Sequence, residues 1–280
     1  MQEKRSEKPR LGIALGGGVA RGIAHIGILK ALEEQDLIPD FLTGTSVGAF
    51  VGGLYAFGKT PEELRDLTKK MNWLDVSRIT LPKYGLLSND EFGKVVERQI
   101  SDAQIEDSPI PLAFIATDIS TGERVVLKEG RVSTAIMASA CIPGIFVPTT
   151  LEGRMLVDGS LVESVPVSPL REMGADLVVG VNIDGVQNYS SPAGIVDVLL
   201  NAFSIAIETS AKCQAQQADI TINLGLTKYS RTNANHAWEL YAEGYRSGIL
   251  AGKKIQAELE KRNPSPLAIW EKKFKEWRKA

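Results

Sequence analysis

The chain of 280 residues has little of what several function classes require. Its only cysteines are Cys141 and Cys213, far apart and in largely apolar or small-residue surroundings. That excludes a disulfide framework and predicts a buried free thiol at each position. Lys and Arg number 32 against 34 Asp and Glu, for a net charge of -2. Both signs are scattered, so no clustered basic face is available for nucleic acid, and no nucleic-acid partner is expected. No stretch approaches the roughly 18–20 apolar residues of a membrane span. Met1 to Arg10 is charged and lacks the apolar segment of a signal peptide. The expected location is therefore a reducing, cytoplasmic compartment, unless a leader has been cut away. No cluster has metal-ligand spacing, so no metal and no other cofactor is expected. Histidine is equally scarce, at two residues, His25 and His236.

What is present alternates strand and helix, the pattern of an α/β fold on a mainly parallel sheet. Leu11–Leu15 is a short apolar run that ends in Gly16-Gly17-Gly18, and Gly22–Glu34 follows as a helix. A brief strand near Phe41–Gly44 runs through Thr45-Ser46 into an apolar helix, Ala49–Phe57. Thr60-Pro61-Glu62-Glu63 opens another helix, with a cap, a proline at the first helical position and acids in the first turn. Residues 72–108 are rich in breakers and read as an irregular connection or a flap over a site. Further strands are expected at Leu112–Thr117, Arg124–Leu127, Arg154–Val157, Asp176–Val181 and Asp219–Asn223. Helices are expected at Val132–Ala138, Ala193–Gln217 and His236–Lys261.

Two glycine-rich bends carry chemical promise. Gly44-Thr45-Ser46-Val47-Gly48 is a G-x-S-x-G between an apolar strand and an apolar helix. A nucleophilic serine needs such a tight turn, and the helix N-terminus behind it favours an anionic intermediate. An ordinary turn would use the same residues. The second bend, Gly16-Gly17-Gly18-Val19-Ala20-Arg21-Gly22, lacks the third glycine of a dinucleotide fingerprint, because Arg21 stands there. It also lacks the Gly-Lys-Ser/Thr of a P-loop. An oxyanion hole made of backbone amides remains. Arg21 would lock the loop or attract a lipid phosphate.

A serine hydroxyl needs a base. His25 sits among apolar neighbours in a helical pattern and reads as a packing or capping residue; His236 reads as a surface or cap residue. An aspartate serves instead where burial raises its pKa or a fixed contact lets it accept the proton. Asp158, ending the run Met155–Val157 before Gly159, and Asp118, after Leu112–Thr117, share that profile. Spacing does not choose between them.

Together these elements resemble the patatin-like phospholipase family: Gly16-Gly17-Gly18-x-x-Arg21-Gly22, Gly44-x-Ser46-x-Gly48 and Asp158-Gly159 stand in the family's order. The likeness extends to His25-Ile26-Gly27-Ile28-Leu29, to Ala116-Thr117-Asp118 with Thr121-Gly122-Glu123, and to Ala138-Ser139-Ala140-Cys141-Ile142-Pro143. It also takes in Val165-Pro166-Val167, Gly174-Ala175-Asp176 and Ala242-Glu243-Gly244-Tyr245. It is strongest toward compact bacterial members and the catalytic domain of neuropathy target esterase. The resemblance implies a three-layer α/β/α fold and a lipid or acyl-ester substrate. It assigns the nucleophile to Ser46, the base to Asp158 and the oxyanion hole to Gly16, Gly17 and Gly18. Arg21, Gly22, Gly44, Gly48 and Gly159 would support them, and Asp118 becomes a turn former. Ser160 departs from the family, which usually has glycine or alanine there. A non-catalytic lipid-binding protein and an acyltransferase are the alternatives on the same fold.

Residues 9–262 are expected to form the catalytic domain and 263–280 an amphipathic helix. In that tail Leu267, Trp270, Phe274 and Trp277 make an aromatic stripe, with Lys272, Lys273, Lys275, Arg278 and Lys279 around it. It would either lie on the inner membrane surface or pack on protein.

Overall fold

A computed structural model describes residues 8–69, 78–79, 84–183, 191–229 and 235–263. The expected C-terminal amphipathic helix lies outside the described residues. The chain opens with β1 (Leu11–Leu15), α1 (Ile23–Glu33), β2 (Phe41–Thr45), α2 (Val47–Ala56) and α3 (Pro61–Lys69). Thr60 and Glu63 cap α3 reciprocally: the Glu63 amide donates to Thr60 Oγ1 and the Thr60 amide to Glu63 Oε2. Next come β3 (Arg78–Ile79), β4 (Gly85–Ser88), α4 (Asp90–Ile100), β5 (Leu112–Asp118), β6 (Arg124–Leu127) and α5 (Val132–Ser139). After them lie β7 (Gly144–Phe146), β8 (Thr149–Leu151), β9 (Arg154–Asp158), α6 (Ser160–Glu163) and α7 (Ser168–Met173). The chain closes with β10 (Leu177–Asn182), α8 (Ile195–Ala215), β11 (Ile220–Asn223) and α9 (Ala237–Arg262).

The irregular stretch expected at 72–108 is partly regular. Within it α4 buries Phe92, Gly93 and Val96 and opens on Asp90 and Glu91. Helical spacing and a charged first turn outweigh the breakers there.

The main sheet runs β11-β10-β1-β2-β5-β9-β8, with β6 on β5 as well. Pairing is parallel from β11 to β5 and antiparallel beyond it. Strands buried on both faces read as continuous apolar runs, as β1 and β5 do. Side chains alternate between two cores. Leu11, Ile13 and Leu15 of β1 face α1, α2 and α9 in the larger core. Ala14 meets Val165, Val167 and Leu170 near α7 in a smaller one. Helices thus cover both faces of the sheet, giving three layers. The tightest helix pair is α1 with α9, where a Cβ on Gly27 would lie 2.1 Å from Tyr241 O and one on Gly244 1.9 Å from Ala24 O.

One topological detail positions the site. Ile115 of β5 pairs with both Thr45 and Val126, and Ala116 with both Asp158 and Val125. Since β6 takes one edge of β5 throughout, β2 and β9 must share the other. They approach along that edge from opposite directions, β2 ending at Thr45 and β9 at Asp158. Residues 113 positions apart in sequence therefore end their strands one step apart on β5.

Candidate active site

Ser46 follows directly on β2 and precedes α2. Its backbone is held at φ 57 and ψ -123, a left-handed conformation that is strained for a residue with a side chain. The bend is braced from three directions. The Ser46 amide donates to Ser139 Oγ at 2.9 Å, and Thr45 Oγ1 donates to Glu163 O at 2.8 Å. Gly48 packs so closely on β1 that a Cβ would stand 2.0 Å from Leu15 O. Gly44 presses on Ala49 in the same way, and Gly22 on Val47. Small residues flank the serine because the strand and helix leave no room for larger ones.

Asp158 is buried, with Oδ1 accepting from the Ser160 amide at 2.8 Å. Its own amide donates to Cys141 O at 2.8 Å, and its carbonyl accepts from Thr117 Oγ1 at 2.9 Å. Gly159 is required next to it, since a Cβ there would lie 2.2 Å from Ile115 O. Burial pushes the Asp158 carboxyl up to about 6, against the Ser160 amide and the hydroxyls of Ser46 and Ser160, which favour the ionised form. The Ser46 hydroxyl is thus one of the groups that favour the carboxylate, although it makes no hydrogen bond to Oδ2. Oδ2 is buried without a hydrogen-bond partner among the described residues.

Ser46 and Asp158 line one cavity with Gly18, Val19, Ile142 and Ser160, roofed by Leu200, Phe203, Ser204 and Ile207 of α8. Its volume, about 20 Å³, holds a water molecule and falls far short of the roughly 300–1,000 Å³ of a pocket for an organic ligand.

The glycine loop is locked from behind. The Gly16 amide donates to Val181 O at 3.0 Å and the Gly17 amide to Ser164 O at 3.1 Å. Both amides are therefore engaged, whereas the Gly18 amide has no protein acceptor among the described residues. Gly18 needs to be glycine, at φ 152. The α-carbon of Gly17 faces the site: a Cβ would stand 2.5 Å from Ser160 Oγ and 3.5 Å from Ser46 Cβ. Arg21 is buried and donates through Nε and Nη2 to Tyr229 O, which ties the loop to the segment before α9. Of its two expected roles, the structural one is observed.

His25 is also structural and is fully buried in α1. Its Nε2 lies 2.8 Å from Gly16 O, and with that nitrogen as donor the ring holds the loop carbonyl while staying neutral. Burial lowers its pKa to about 4, opposed by the Gly16 bond. His236 is exposed at the cap of α9, beside Glu239. Asp118 makes an Asx turn to the Ser120 amide at 2.9 Å. Cys141 is buried as expected, but Cys213 is exposed on α8, although Ala211 and Ala215 on either side of it face inward and are buried.

Two contributors escaped the sequence reading as site residues. Ser139 holds the Ser46 amide, and Ser160, noted only as a departure from the family, supplies the amide and a hydroxyl to Asp158. Ser139 stood in a quoted landmark, but nothing local to it indicates contact with a residue 93 positions away.

Comparisons with known proteins identify the family. Residues 13–171 match the model of the family described as "Patatin-like phospholipase". An uncharacterized NTE family protein of Mycobacterium tuberculosis is 34% identical over 188 residues, 66% of this chain and 52% of that protein. Lysophospholipase nte1 of Emericella nidulans is 32% identical over 201 residues, 70% of this chain but 13% of the relative. The chain thus spans about half the length of the first curated relatives it matches and a small part of the fungal ones. The crystal structure of VipD from Legionella pneumophila superimposes with a TM-score of 0.56 at 13% identity, covering 91% of this chain and 67% of that one, a likeness of fold. By sequence match and by architecture, the chain belongs to the patatin-like phospholipase family.

Proposed function

We propose that this chain is a serine acylhydrolase acting on lipid esters, with Ser46 as nucleophile and Asp158 as general base, and with residues 9–262 as its catalytic unit. The observation that carries the reading is the shared cavity. A strained serine at a helix N-terminus stands beside a buried carboxylate whose Oδ2 has no hydrogen-bond partner among the described residues. Strain of this kind persists where the surroundings over-determine it, and it exposes the hydroxyl for attack.

In the proposed reaction Asp158 Oδ2 accepts the Ser46 proton as Oγ attacks the ester carbonyl. The negative charge that develops on the carbonyl oxygen is met by the free Gly18 amide and the N-terminal field of α2. Gly16 and Gly17 act by shaping the loop. Collapse of the tetrahedral species breaks the ester bond, and Asp158 returns the proton to the departing alcohol. Water, deprotonated by the same carboxylate, then attacks the acyl-serine and releases the fatty acid. Neither histidine takes part: His25 is bound to Gly16 and neutral above about pH 4, and His236 is on the surface. Lysophospholipids and phospholipids are the proposed substrates, by analogy with the fungal relatives' names. A non-catalytic lipid-binding role would leave the strain at Ser46 without a purpose.

The test is hydrolysis of a chromogenic short-chain ester by the wild type, Ser46→Ala and Asp158→Asn. Each substitution is expected to lower kcat/KM by about 10³-fold or more. Turnover that survives Ser46→Ala would remove the proposal, and acyl transfer to an added alcohol in place of release to water would redirect it.

A further inference from the structure

The first half of α8 is apolar on its inner and outer faces, with Asp197, Asn201 and Ser204 between them, and its outer face is not buried. From Ile195 to Ile207 its one charged residue is Asp197, whose carboxylate accepts from the Ala193 amide. The inner face supplies Leu200, Phe203 and Ile207 to the roof over Ser46. The outer face leaves Ile195 66%, Val198 50% and Ile205 59% exposed, with Ala202 and Ala206 exposed between them. An exposed apolar face of this kind belongs against another apolar surface.

Its attachment is uneven. The second half is pinned through Gln214, which accepts from the Ser164 amide at 2.7 Å and donates to Val162 O at 2.8 Å. The first half packs on a small satellite cluster of Ile142, Ile145 and Leu200 with Val196, Leu199 and Phe203 against it, separate from the main core. Asn201 and Ser204 add polar interactions of their own, but a satellite cluster outside the main core opens locally at a lower cost than the core does. The cavity beneath has no room for an acyl chain, so a long-chain ester reaches Ser46 only when this roof lifts.

We infer that the first half of α8 is a docking surface for the apolar region of a lipid layer, and that it opens the cavity when seated there. In water, lifting the helix adds the surfaces of Leu200, Phe203 and Ile207 to an outer face already wet. Against lipid, both faces leave water together, so the lipid surface selectively stabilises the open form. The near absence of charge on the stripe makes the contact apolar, so it does not depend on anionic headgroups. This deepens the acylhydrolase reading and rests on it for the role of the cavity.

The experiment compares the wild type with the triple variant Ile195→Gln, Val198→Gln and Ile205→Gln, all outward positions that leave the roof untouched. Co-sedimentation with phosphatidylcholine vesicles at roughly 0.5 M salt screens attraction through basic segments such as 265–280. The triple variant is expected to bind at least tenfold more weakly. Its rate on vesicle phosphatidylcholine, relative to its rate on a soluble short-chain ester, is expected to fall by at least the same factor. Equal vesicle binding by the two proteins overturns the inference, as does a wild type that does not bind. So does a wild-type dimer that the substitutions dissociate with vesicle binding unchanged, which would assign the stripe to a second copy of the chain. A wild type that binds vesicles through the stripe but hydrolyses neither ester leaves the docking surface standing and removes the acylhydrolase reading.

Discussion

Helix α2 starts at the serine of the cavity that α8 roofs, and both are rich in apolar residues, but they meet opposite fates. All ten residues of α2 are buried, from Val47 to Ala56, between the sheet and its neighbours. The first half of α8 keeps one face on the cavity and the other in solvent. Apolar sequence therefore does not by itself mean core. In α2 it fixes a helix whose N-terminus must stay in place to hold Ser46. In α8 it covers the site with a helix whose outer apolar face stays exposed.

The contrast breaks if α2 tolerates change or α8 does not. The largest effect is expected at Gly48→Ala, where a Cβ would meet Leu15 O at 2.0 Å. Denaturant unfolding should show a loss of about 3 kcal/mol or more, and a loss within experimental error would mean that α2 is not the rigid partner. Next comes pH. With the Asp158 carboxyl near 6, the fraction of ionised base falls as pH drops through that value. kcat/KM should decline about tenfold per unit below it, and a profile unchanged down to pH 5 would remove Asp158 as base. The stability contribution runs in the opposite direction: a carboxyl raised on folding stabilises below about 3.8, and that gain is lost as pH rises through about 6. Asp158→Asn should therefore gain on the wild type in melting temperature between pH 4 and 8.

A smaller effect is expected at His25→Gln, which removes the imidazole from Gly16 O. About 1–2 kcal/mol of stability and several-fold in kcat should be lost without abolishing turnover, because a buried carbonyl loses its donor and not a base. His236→Gln serves as the surface control. Smallest of all is Ile205→Gln on the outer face of α8, expected to shift unfolding by no more than about 0.5 kcal/mol. A loss of several times that would show the stripe to be covered by protein.

The parts legible in sequence are those whose chemistry is local. The β1–glycine loop–α1 and β2–Ser46–α2 units announce themselves because strands buried on both faces are unbroken apolar runs and the bends between them need small residues. Asp158 was legible as one acid of two. What chose it is the antiparallel return of β9 onto the edge that β2 occupies, and pairing partners far apart in sequence leave no periodic mark. The same limit hid Ser139 and the engagement of the Gly16 and Gly17 amides. Residues 72–108 misled for a different reason: Gly85, Asn89 and Gly93 look like breakers, but Gly93 sits inside a helix where Met137 leaves no space for a side chain. The exposure of α8 could not be read at all, since composition records what a helix would bury and not whether anything covers it.

The φ of 57° at Ser46 has an evolutionary consequence. Glycine would adopt that bend at no steric cost, so a random search for heat resistance has a ready route to it, at the expense of the hydroxyl. With Ser46 as the nucleophile proposed above, directed evolution for thermal tolerance alone would drift toward durable, inert proteins at this position. Only a screen that also scores turnover would keep the serine.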